Sequence, residues 1–151
     1  MPTTPPLRRR LRALLPEGGR LLPAVFERRH RAAVRIAFAQ SVAVFVFGLV
    51  RGIPVWHSAL EAGAVAALAA VARFGSGPPV IRACYATLSL MVTSAMFVHQ
   101  AEGITEAHFH FFVMVALITL YQAWEPFAVA IAFVVLHHAV AGSFDPTGVY
   151  G

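Results

Sequence analysis

The stretch Ala33–Val50, AVRIAFAQSVAVFVFGLV, holds one charged residue, Arg35, in eighteen and is closed by Arg51, Gly52 and Pro54. Eighteen apolar residues are near the length at which a helix crosses a hydrocarbon core about 30 Å thick. Four further apolar runs follow, at about Ser58–Arg73, Val80–Val98, Glu106–Tyr121 and Pro126–Ala141. They are separated by turn residues: Gly75, Gly77, Pro78 and Pro79, then His99–Thr105, then Gln122–Glu125. Pro126 suits the first position of the last helix, and Gly142 its stop. The pattern predicts an all-α, polytopic membrane helical bundle of about five transmembrane helices, spanning residues 33–151.

Composition agrees. Of 151 residues 58% are hydrophobic and 13% charged, against about 45–50% and about 25% in soluble domains. Mean hydropathy is +0.70. The net charge of +5 would suggest nucleic acid in a soluble chain, but its placement argues against that partner. Nine arginines, Arg8 to Arg35, crowd residues 1–35, and the apolar remainder holds Arg51, Arg73 and Arg82. Residues 1–32 therefore read as a basic arm on the cytoplasmic side, able to meet anionic headgroups of the bilayer. A short amphipathic helix is expected near Leu21–Arg31. The arm lacks a small-residue cleavage pattern, so the first helix is expected to be an uncleaved anchor. Lysine and asparagine are absent. Both have A-rich codons, which points to a GC-rich bacterial genome and a bacterial inner membrane. Cys84 is alone, so no intrachain disulfide forms, and it reads as a small buried hydrophobe.

A cytoplasmic N-terminus sorts the remaining polar residues. The 73–82 turn lies inside with Arg73 and Arg82; the 99–105 loop lies outside with Glu102. Trp56 and Tyr150 then fall at the outer interface, Tyr121 and Trp124 at the inner one. His57, His99, His108, His110, His137 and His138 gather on the outer side, from four helix ends, with Glu61, Glu102, Glu106 and Asp145. Only His30 stays on the arm. Ionisable residues at membrane depth are costly and are functional suspects, and neutral imidazole is the commonest metal ligand. His108, His110, His137, His138 and His57 are the expected metal or haem ligands. Glu61, Glu106 and His99 are expected beside them, since a carboxylate near a ligating imidazole fixes its tautomer. Glu106 and His110, and His57 and Glu61, are four residues apart and share helix faces. Copper, iron, zinc or a haem would suit such a set.

Plainer readings exist. Ser58 and Glu61 form an S-x-x-E capping box. Thr105 can cap the fourth helix, Glu106 complements its dipole, and His137 and His138 complement the end of the fifth. A proton relay would use the same residues without metal. Phe109, Phe111, Phe112 and Met114 read as packing or lipid-facing residues, with walling a haem edge as the alternative.

The segments Gly103–Met114 (GITEAHFHFFVM), Tyr121–Phe127 (YQAWEPF), Val135–Ala139 (VLHHA), Asp145–Tyr150 (DPTGVY) and Gly48–His57 (GLVRGIPVWH), with Glu61, resemble a histidine-rich membrane sensory domain. Such domains stand at the N-termini of bacterial methyl-accepting chemotaxis receptors, sensor histidine kinases and diguanylate cyclases or phosphodiesterases. The resemblance covers about residues 25–150. It implies a non-catalytic signal-input role, a cytoplasmic output module as partner, a possible homodimer, and histidine roles for His57, His108, His110, His137 and His138. Related domains continue into a sixth apolar helix. The chain here is expected to be a piece that stops before it.

Two alternatives remain. A membrane metalloenzyme of the histidine-box type would need more ligands, usually on the cytoplasmic side. A subunit carrying protons or metal ions would need a polar path across the bilayer, and the inner halves of the third and fifth spans read as apolar.

Overall fold

A computed structural model describes residues 21–144 and 146. Five helices account for nearly all of them: α1 (Pro23–Val50), α2 (Val55–Phe74), α3 (Pro79–Gln100), α4 (Thr105–Ile118) and α5 (Trp124–Leu136). A 3-10 turn, Thr119–Tyr121, extends α4. A π-helical turn, His137–Ala141, and a helical turn, Gly142–Phe144, extend α5. Four of these, Pro23–Val50, Val55–Phe74, Pro79–Gln100 and Trp124–Phe144, are long and apolar enough to cross a membrane; Thr105–Tyr121 is apolar and shorter. The chain is a polytopic helical membrane bundle.

The first helix begins at Pro23, where a proline at the helix start loses no hydrogen bond. Residues 23–32, expected in the basic arm, are thus continuous with the first span. At 1.5 Å per residue its 28 residues reach about 42 Å, longer than the hydrocarbon core. The rest of the expected arm, residues 1–20, lies outside the described residues, as do Asp145 and Thr147–Gly151, which carry the DPTGVY motif and the expected interfacial Tyr150.

Helix α3 is central and touches each of the other four helices. Small residues permit the close approach: Ala69 and Ala72 of α2 and Ala83 and Ala86 of α3 are fully buried or nearly so. Ser89 adds a bond across the helix pair, donating to the Val65 carbonyl at 2.9 Å. Helix α5 packs on α3 and α4 and keeps most of its apolar surface outward. In lipid that surface is at no disadvantage, because hydrocarbon is as apolar as a core.

Turns and caps differ from the sequence reading in four places. Pro54 caps α2 without a side-chain bond, so Ser58 is inside the helix and the Ser58–Glu61 capping box does not form. Ile104 rather than Thr105 caps α4. Helix α5 starts at Trp124, two residues before Pro126. Gly142 does not stop it: the chain continues helically through Phe144. Proline needs only a freed N–H, and any of the first turn's positions supplies one.

Both ends of the bundle are polar. At one end His30, fully buried, places Nε2 2.9 Å from the Ala72 carbonyl and Nδ1 2.9 Å from the Tyr121 hydroxyl. A carbonyl only accepts, so Nε2 carries the proton and Nδ1 accepts from Tyr121. Phe26 stacks on the imidazole, and Arg82 pairs with Glu27 at 2.8 Å. Tyr121, expected as an interfacial anchor, is instead 4% exposed and part of this network. His30 is likewise in the bundle rather than on an arm.

Candidate functional site

The opposite end carries the other six histidines. The α1–α2 turn, the α3–α4 turn and the end of α5 meet there, as contacts between their residues require. Arg51 Nε donates to the Gln100 carbonyl at 3.1 Å and Arg51 Nη2 pairs with Glu102 at 3.1 Å. The rings of His57 and His99 lie 6.0 Å apart, and those of His108 and His138 5.5 Å apart. These contacts bring the histidines together in part, and the side chains divide into three groups.

The first group is His57, Glu61 and His99. One ligand atom from each lies within 4.8 Å of the others. Glu61 Oε1 stands between the two imidazoles, 3.3 Å from His57 Nε2 and 3.6 Å from His99 Nε2. Local folding puts it there. Because α2 begins at Val55, His57 is already helical, and Glu61 lies one turn on along the same face. His99 comes from the last turn of α3. Glu61 is 8% exposed, whereas the His57 and His99 side chains are 37% and 49% exposed. The carboxylate is the buried floor of a site whose imidazoles reach the surface. Gln100 Nε2 donates to Glu61 Oε2 at 2.6 Å and turns Oε1 toward the histidines. Trp56 stacks on His57 at 5.4 Å.

The second group is His108, His137 and His138. His108 Nδ1 donates to the Ile104 carbonyl at 3.1 Å and His138 Nδ1 to the Val134 carbonyl at 2.8 Å. His137 stacks on Phe133, and its Nε2 is buried without a partner among the described residues. The π-helical turn starts at this histidine pair; such turns frequently accompany functional sites.

His110 stands apart from both, inside the bundle. Ser94 Oγ donates to the Leu90 carbonyl at 3.2 Å and lies 2.8 Å from His110 Nδ1. That nitrogen therefore donates, and Nε2 accepts from the Gln40 amide at 3.2 Å. Phe97 meets the ring edge-on at 5.0 Å. Both ring nitrogens are engaged. Glu106 is exposed and makes no ion pair among the described residues.

Gln100, Gln40 and Ser94 belong to no motif in the sequence. Gln40 carried a signal, being the lone amide in an eighteen-residue apolar run. Gln100 looked like loop; its role depends on α3 continuing through it.

The chain is 32% identical over 147 residues to transducer protein Htr8 of Halobacterium salinarum. It resembles part of a transducer. The match covers 89% of this chain and 23% of Htr8, so the chain spans about a quarter of the length of the curated relative it matches. No family model and no solved structure matches the chain.

Proposed function

We propose that this chain is the signal-input part of a membrane transducer, and that His57, Glu61 and His99 hold a transition-metal ion at its outer face. The observation that carries the reading is the position of Glu61 Oε1 between two imidazole nitrogens. A tetrahedral ion with bonds of about 2.1 Å holds its ligand atoms about 3.4 Å apart; the two pairs that include Glu61 Oε1 are at 3.3 and 3.6 Å, and all three ligand atoms lie within 4.8 Å of one another. Two histidines and one carboxylate leave a coordination position open, the arrangement used where a metal must meet a small molecule. Zinc, copper or iron would fit. The same geometry favours a bare ion over a haem, because the carboxylate fills the space between the imidazoles that a macrocycle would need.

The resemblance to a transducer supports the signalling role. A cytoplasmic N-terminus is supported by the arginines of the opposite end and the Glu102-bearing loop at this one. His57 and Glu61 ride on α2 and His99 on α3. Drawing the two imidazoles onto one ion would pull the end of α3 toward α2. Arg51, bonded to the Gln100 carbonyl, would pass the displacement to α1. A cytoplasmic output module, reached through chain beyond these residues, would read it. Three of the α3 hydroxyls favour this over transport: Ser89, Thr93 and Ser94 each donate to a carbonyl inside the bundle, as packing groups do.

The test is metal analysis and an absorption spectrum of the full chain purified in mild detergent. One equivalent of zinc, copper or iron and no Soret band is the expected result. A Soret band would replace the bare ion with haem, and neither signal after loading with each metal would remove the reading.

A further inference from the structure

A groove of about 170 Å³ opens at the arginine end of the bundle, between α1 and the end of α4, lined by Arg28, Arg29, Ala32, Ala33, Leu117, Leu120 and Tyr121. Its chemistry is graded. Arg28 and Arg29 stand at one end; the alanines, one helical turn further along the same faces, and the two leucines form the rest. Arg29 spends one of its five N–H donors on the Leu120 carbonyl, which fixes its guanidinium at the mouth. Arg28 is exposed and has no carboxylate partner among the described residues.

The depth of the groove follows from the length of α1. A hydrocarbon core about 30 Å thick takes about 20 helical residues. Counted back from Val50, its boundary falls near Arg31. The two arginines therefore stand at headgroup level and the apolar walls below it. Arg31 and Arg35 lie on the exposed side of the same helix, and Arg73 and Arg82 belong to the same end, so the field there is positive. Anionic lipid headgroups are attracted to such a surface.

The geometry points to a binding site for an acidic phospholipid: the phosphate between Arg28 and Arg29, and the start of one acyl chain in the groove lined by Ala32, Ala33, Leu117 and Leu120. This is independent of what the histidine end binds. Occupancy would tie α1 to the α4–α5 turn through Leu120 and Tyr121, at the end of the bundle opposite His57, Glu61 and His99.

The test uses the full chain in vesicles with chain-labelled phosphatidylglycerol or phosphatidylcholine, reading the fraction of label held at the protein. Preferential retention of phosphatidylglycerol is expected. Arg28→Gln, which leaves the Arg29–Leu120 contact alone, should weaken it about fivefold. Ala32→Trp, which keeps every charge and fills the groove, should also weaken it, while Arg73→Gln, outside the groove lining, should weaken it less than Arg28→Gln does. Excess inorganic phosphate should fail to displace the lipid. Equal retention of both lipids, full retention in Arg28→Gln and Ala32→Trp, or displacement by inorganic phosphate would each overturn the proposal.

Discussion

The Gln100 side-chain amide donates to Glu61 Oε2 at 2.6 Å, joining the last residue of α3 to the second turn of α2. Gln100 is 2% exposed, so the bond is sheltered and fixes the carboxylate's rotation. Replacing Gln100 by leucine keeps the volume and frees Glu61. Groups that orient a metal ligand are typically worth about ten- to a hundredfold in affinity. Zinc affinity in Gln100→Leu, read by competition with a chromophoric chelator, should fall by about tenfold with stoichiometry kept at one. Unchanged affinity would mean that the Gln100 bond does not orient Glu61 toward the ion.

Tyr121→Phe removes the hydroxyl that donates to His30 Nδ1 and leaves a buried acceptor without a partner. Such a loss costs about 1–3 kcal/mol. Thermal unfolding in detergent, followed by the reaction of Cys84 with a thiol dye, should show a lower Tm by several degrees. Metal binding at the far end should be unaltered.

At Gly48 a methyl group would stand 2.5 Å from Ser58 Oγ and 3.0 Å from Gln100 Nε2. Gly48→Ala should force α1 away from α2 and α3 and cost about 1–3 kcal/mol. Adding Ser58→Ala removes the nearest atom but leaves the Ser58 Cβ at 3.1 Å. The double variant should recover part of the lost Tm, so the two changes should be non-additive.

His110→Ala separates the histidine groups by function. Both nitrogens of His110 are used within the bundle, on Ser94 and Gln40, so its loss should lower the Tm and leave metal stoichiometry unchanged. Loss of the metal with retained Tm would reverse that assignment.

Much of the bundle was legible because apolar runs and their turn residues state span number directly. Gly52, at a φ of +79°, ends the first span where the sequence places it. The start of α1 was not legible, because Arg28, Glu27 and His30 look like solvated arm. They are helical because Glu27 finds Arg82 and His30 finds Tyr121 and Ala72, partners 42 to 91 residues away. The gathering of six histidines at one end followed from topology alone. Their division into groups did not, because it depends on helix rotation. A residue's depth can be read from its place in a run. Whether it faces α1, as His110 does, or a neighbouring histidine, as His108 does, is set by packing.

The most direct measurement is cobalt titration of the full chain, since tetrahedral cobalt with histidine and carboxylate ligands absorbs in the visible. A saturable spectrum at one equivalent is expected, abolished in the His57→Ala/His99→Ala variant and kept in the His108→Ala/His138→Ala variant. A spectrum that survives the first pair of changes and vanishes with the second would contradict the assignment of the ion to His57, Glu61 and His99.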